Sequence, residues 1–123
     1  METVYEMLQE MAEIYAQKST DNIDLIVQFK LLPKKEVWFL KIKPGKQLEI
    51  TKSNQEEPQI IFSLSQETLS AIYSGEMTGL TAMGRENMSD QTPLDFTLGK
   101  DVNMTPDLMA NLLAFVQRFF NPT

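Results

Sequence analysis

The segment at residues 105–122, TPDLMANLLAFVQRFFNP, constrains the fold more than any other part of the chain. It has a clear helix start. Thr105 serves as N-cap, Pro106 takes the first helical position and Asp107 follows in the first turn. Leu108, Met109, Leu112, Leu113, Phe115, Val116, Phe119 and Phe120 then cover well over half the circumference, and Asn121-Pro122 ends the helix. A helix lying on a surface needs a narrower apolar stripe than this. The spacing therefore requires burial from two directions. One is a sheet. The other is a bound lipid, a partner subunit or an N-terminal helix.

The chain carries the material for that sheet and that helix. Residues 3–17 place Val4, Met7, Leu8, Met11, Ile14 and Tyr15 at helical spacing, with Glu2, Glu6, Gln9, Glu10, Glu13 and Gln17 on the other side. The polar run at residues 19–22 breaks this helix. Ile23, Leu25, Val27, Phe29 and Leu31 then alternate with mostly polar neighbours, as in a half-buried strand. A turn at residues 33–36 and a Pro44-Gly45 turn bound the run VWFLKI at 37–42. Leu48, Ile50 and Thr51 make a shorter third strand. A polar loop at 53–58 precedes a fourth strand, QIIFSL at 59–64. Strands joined by such short turns pair antiparallel. The second and fourth runs are apolar on both faces. That implies a cover on the second face, from protein or from a ligand.

Residues 63–84, SLSQETLSAIYSGEMTGLTAMG, read as a wall. Ser65 is an N-cap with Glu67 in the first turn, and Leu69, Ile72 and Tyr73 line one side of a short helix. Gly75 stands where a left-handed C-terminal glycine belongs. A second short helix places Leu80 and Met83 three apart, with Gly79 and Ala82 small enough for close backbone approach, and Gly84 ends it. Leu94, Phe96 and Leu98 fit a fifth strand, followed by a turn at 99–101.

Composition narrows the function. A chain of 123 residues fits one domain, read here as spanning 1–123. With no cysteine there is no disulfide, thiolate site or cysteine nucleophile, and with no histidine the commonest general base and metal ligand are missing. The acids are scattered and form no recognisable dyad, so neither catalytic nor metal residues are expected, and no cofactor. Net charge is −6, which disfavours nucleic acid and a lasting dock on anionic membranes. The acidic N-terminus is no signal peptide and no apolar run spans a membrane, so a cytoplasmic protein without stable membrane insertion is expected. The motif Asn87-Met88-Ser89 then carries no glycosylation. Eight methionines fit either core filling or an adaptable apolar surface.

The order and spacing of three stretches resemble the sterol carrier protein 2 (SCP-2) family. VWFLKI at 37–42 is similar to that family's tryptophan-bearing strand. IIFSLS at 60–65 with Glu67-Thr68-Leu69 is similar to its strand running into a serine-started helix. IYSGEM at 72–77 and LTAMGR at 80–85 are similar to its glycine-ended helix and the alanine-rich helix after it. The resemblance covers about residues 23–120. Where the family continues as glycine, lysine, apolar, x, apolar, x, glycine, aspartate, this chain reads GRENMSD at 84–90, with Glu86 at an apolar position and the second glycine missing.

The resemblance implies an α+β fold. A mostly antiparallel five-stranded sheet is covered by an N-terminal helix, short middle helices and a C-terminal helix. It implies an apolar tunnel between sheet and helices and non-catalytic binding or transfer of a fatty acyl or sterol-like lipid. The wall would come from Leu69, Ile72, Tyr73, Leu80, Met83, Leu112, Phe115, Val116 and Phe119. Core packing explains the same residues, and also Trp38. Two other functions stay open. One is an interaction module that homodimerises through the C-terminal helix and holds no ligand. The other is an Asp- or Glu-based enzyme, which needs a polar pocket with a carboxylate of raised pKa. Lys34-Lys35 reads as a solvated turn, and Arg85 as a surface charge or a head-group contact.

Overall fold

A computed structural model describes residues 3–18, 24–34, 36–43, 47–52, 57–84 and 94–121, with the side chains at 18, 47, 80, 83 and 84 outside that description. The elements are α1 (Val4–Lys18), β1 (Leu25–Leu32), β2 (Glu36–Lys43), β3 (Gln47–Thr51), β4 (Ile60–Ser65), α2 (Gln66–Ser74), α3 (Gly79–Gly84), β5 (Leu94–Leu98) and α4 (Pro106–Phe119). The expected breaker at 19–22, Ile23, the turn at Pro44 and Gly45, residues 53–56 of the polar loop, residues 85–93 with Arg85, Glu86 and Asn87-Met88-Ser89, and Pro122 all lie outside the described residues.

The helix ends follow local chemistry. Thr3 opens α1 with a capping box: its hydroxyl accepts from the Glu6 amide at 3.1 Å and donates to the Glu6 carboxylate at 2.9 Å. Ser65 caps α2 by accepting from the Thr68 amide at 3.0 Å, and Gly75 closes it at φ 87°. Thr105 caps α4 by accepting from the Leu108 amide at 3.1 Å. Replacing Ser65 with alanine is expected to destabilise the fold by about 1 kcal/mol, and a thermal melt would show it as a fall of a few degrees. An unchanged melting temperature would mean that α2 is held by its packing alone.

The five strands form one sheet in the order β3-β2-β1-β4-β5. The sheet is mixed rather than antiparallel throughout, because β1 and β4 run parallel, with Val27 opposite Ile60 and Phe29 opposite Phe62. The segment after β3 is therefore a crossover and no hairpin. The reason lies in the fourth strand. Ile60, Phe62 and Leu64 are at most 1% exposed. A strand that apolar gains most next to the buried β1, while the half-buried β3 stays at the edge. Gln59 fastens the junction: its backbone bonds Ile26 O at 2.9 Å and its side chain accepts from the Ile26 amide at 2.7 Å.

All four helices contribute to one core cluster with one face of the sheet. The opposite face carries a cross-strand row of Thr51, Phe39, Gln28, Ile61 and Thr97. Phe39 and Ile61 are half-buried there. Their cross-strand neighbours are Thr51, Gln28 and Thr97, and the described helices pack in the core on the other face, so the expected cover on the second face is not found among the described residues. The second direction of burial for α4 is supplied by α1. The Tyr15 ring lies 5.5 Å from Phe115 and 6.2 Å from Phe119, opposite Phe29 and Phe62 of the sheet. Leu113 and Met109 remain 47% and 39% exposed, so α4 presents part of its stripe to solvent.

Candidate binding site

The layer between sheet and helices is filled by hydrocarbon side chains. Tyr15, Phe29, Phe62, Phe115, Phe119 and Phe120 form a continuous ring cluster, with Phe115 and Phe119 stacked at 4.7 Å and Phe62 against Phe120 at 5.0 Å. Leu69, Ile72, Leu112, Phe115, Val116 and Phe119 are at most 2% exposed and belong to this core together. Tyr73 packs against the core from its rim, and its hydroxyl donates to the Glu10 carboxylate, tying α2 to α1. Leu80 and Met83 lie on α3 with side chains outside the described residues. The first amide of α3, at Gly79, donates to Phe120 O at 2.8 Å, which seats α3 against the end of α4.

A groove of about 800 Å³ lies at the end of the sheet, on the other side of α2. β1 and its turn contribute Leu31, Leu32, Pro33 and Lys34, and β2 contributes Glu36. Ser65 at the end of β4 joins Gln66, Glu67, Ser70, Ala71 and Ser74 of α2, and Glu76 follows that helix. So α2 is a wall with two sides. Leu69 and Ile72 face the core, while the small and polar residues face the groove. Small side chains at Ser70, Ala71 and Ser74 leave the width. Leu32, 40% exposed, supplies apolar surface.

Leu31 belongs to the groove and to the core at once. It pairs with Glu36, and the next same-face rung inward pairs Phe29 with Trp38. Trp38 lies against Tyr5 at 5.6 Å and under the Lys52 ammonium at 5.0 Å. Its Nε1–H is buried with no acceptor among the described residues. The Lys52 ammonium also lies 3.4 Å from the Glu36 carboxylate.

Chemically, the interior offers burial and little else. No described Asp, Glu, Lys or Arg is buried. The described residues hold no group of three or more metal-ligating side chains. No described helix is long and apolar enough to cross a membrane. The groove escaped the sequence reading because its residues follow no apolar period. The available signal was the small pair Ser70 and Ser74, four apart on the side of α2 away from Leu69 and Ile72, together with the apolar Leu32 beside Pro33.

Solved structures share this fold. The palmitated SCP2L2 of Aedes aegypti superposes with a TM-score of 0.59 at 12% identity, over 94% of this chain and 95% of that one. The sterol carrier protein domain 2 of Helicoverpa armigera gives 0.58 at 19% identity, over 90% and 84%. A ubiquinone synthesis protein, UbiJ-SCP2, gives 0.53 at 6% identity, over 94% and 95%. At these identities the likeness is one of fold. No curated protein sequence matches the chain. The model of the SCP-2 sterol transfer family, however, matches residues 6–89. With more than half of its length matched, and with the sheet and helices arranged as in the sterol carrier domains, this chain belongs to the SCP-2 sterol transfer family.

Proposed function

We propose that this protein binds an apolar small molecule, of fatty acyl or sterol-like class, and holds or transfers it without catalysing a reaction. The observation that carries the reading is the layer between sheet and α4, built of aliphatic and aromatic side chains with no buried acid or base among the described residues. Membership of a sterol transfer family and the palmitated state of the Aedes aegypti structure support it. The proposed wall is Leu69, Ile72, Tyr73, Leu80, Met83, Leu112, Phe115, Val116 and Phe119. The driving force is burial, about 0.8 kcal/mol for each CH₂ taken out of water. The core is closely packed, so the ligand enters as α2 and α4 part from the sheet, an opening that costs less than global unfolding. An acceptor on the ligand would satisfy the Trp38 Nε1–H, whose isolation costs about 1–3 kcal/mol. One core cluster joining every helix to the sheet supports the reading of one domain.

Native mass spectrometry of freshly purified protein, followed by organic extraction, tests this. An acyl or sterol-like mass near one per chain is expected. Ligand at a hundredfold excess over Kd should also add about 2.7 kcal/mol of stability, seen as a raised melting temperature. A clean apo protein that takes up no fluorescent fatty acid and does not shift its melt would sink the reading. A second reading, a ligand-free homodimer, draws on the exposed Met109 and Leu113 of α4. Sedimentation in the same preparation reads it directly.

A further inference from the structure

Trp38 is the chain's single tryptophan, and the core holds it without its hydrogen bond. The residue is 9% exposed, and its Nε1–H is buried with no acceptor among the described residues. A buried indole N–H is ordinarily bonded. The Tyr5 ring lies 5.6 Å away, the Lys52 ammonium sits 5.0 Å over the indole, and Phe29 stands opposite on β1. None of them accepts from Nε1–H. The Glu36 carboxylate, on the next rung outward, is paired with the Lys52 ammonium at 3.4 Å. Position matters as much as the missing bond. Leu31 and Glu36 line the groove, and the next same-face rung inward is Phe29 with Trp38. From Phe29 the rings continue to Phe62 at 6.1 Å and Phe119 at 5.5 Å. The unbonded donor therefore stands where the lining of the groove gives way to the aromatic layer.

We propose, on the strength of the apolar-ligand reading above, that the Trp38 Nε1–H is the polar anchor of the ligand, and that it selects a polar end carrying an oxygen acceptor: a hydroxyl, a carbonyl or a carboxylate. The oxygen accepts from Nε1–H at the rung of Trp38 and Phe29. The tail runs over Phe29 toward Phe62 and Phe115. The charges of Lys52 and Glu36 offset each other beside the indole, so a neutral oxygen is held there as well as a charged one. An ammonium end has no lone pair to offer and leaves the indole unbonded.

A single tryptophan gives a single indole signal, so NMR of the ¹⁵N-labelled full chain reads this bond directly. The chain is titrated with decanol, decanoate and decylammonium, each kept below its aggregation concentration. High salt screens the net charge of −6, which would otherwise favour the cation. Decanol and decanoate should move the Nε1 proton downfield and slow its exchange with water. Decylammonium should bind about three- to tenfold more weakly than decanol and produce no downfield shift. In Trp38→Phe, which keeps a ring and drops the donor, the two affinities should become equal. Comparing two probes in one variant cancels the loss of packing that both share. If that variant fails to fold, the indole signal of the natural chain decides alone. An indole proton unmoved by saturating decanol, equal affinity for decanol and decylammonium in the natural chain, or a preference that survives Trp38→Phe would overturn the anchor and leave the apolar-ligand reading standing. Failure of all three probes to bind would count against the apolar-ligand reading, and the anchor would fall with it.

Discussion

Replacing Phe115 with alanine is expected to destabilise the protein by about 3–5 kcal/mol, among the largest effects of any single truncation in this chain. Phe115 is fully buried. Its ring meets Tyr15 at 5.5 Å, Phe62 at 5.6 Å, Phe119 at 4.7 Å and Phe120 at 5.7 Å. It therefore links α1, the sheet and the end of α4 at one point. Truncation removes the transfer energy of a benzyl group and leaves a cavity that these neighbours cannot collapse to fill. Against a typical stability of roughly 5–15 kcal/mol the loss is large. Urea unfolding should show a lower midpoint with an unchanged slope. Leu113, two residues earlier and 47% exposed, is the control. Leu113→Ala should stay within about 0.5 kcal/mol. Equal losses at the two positions would mean that α4 is buried on a different side from the one described.

The second large effect concerns Gly99. A Cβ there would lie 1.8 Å from the Pro58 carbonyl oxygen and 2.9 Å from its carbon. Both are backbone atoms, so no side-chain rotation relieves the clash. The approach is this close because the Gly99 amide donates to Gln59 O at 2.9 Å, continuing the ladder that pairs Leu98 with Ile60. Gly99→Ala must push β5 away from β4 or bend the turn that follows. A loss of about 3 kcal/mol or more is expected. Hydrogen exchange should show the amides of the β4–β5 ladder opening well before those between β1 and β2. Lys100→Ala, at the exposed neighbour, should change stability little. A loss under about 1 kcal/mol in Gly99→Ala would mean that the turn shifts freely and that the contact does not hold the edge strand.

Much of the fold is legible in the chain because local rules govern it. The helix starts at Ser65 and Thr105 and the stop at Gly75 rest on side chains within four residues of the bonds they satisfy. The alternation in β1 and the period of α1 name the buried faces without reference to any partner. What covers α4 is a different matter. Its stripe asks for two partners and does not identify them, since a lipid, a second subunit and α1 all present hydrocarbon to it. Tyr15 answers the question only once α1 is folded across Phe115 and Phe119.

The groove shows the same limit from the other side. Sequence periodicity points to Leu69 and Ile72, because apolar residues at helical spacing are what a core needs. A cavity needs missing volume instead. Ser70, Ala71 and Ser74 signal it only when Leu32 and Pro33 stand opposite them.

By itself, then, the sequence determined the type and order of the elements, the helix ends at Ser65, Gly75 and Thr105, the core-facing stripes of α1 and α4 and the absence of histidine and cysteine chemistry. These follow from bonds and periods that close within a few residues. The tertiary structure alone decided that β4 lies parallel to β1, that α1 completes the burial of α4, and that the groove opens behind α2. Each of these depends on contacts between segments far apart in the chain, where the hydrophobic effect rewards burial without naming the partner.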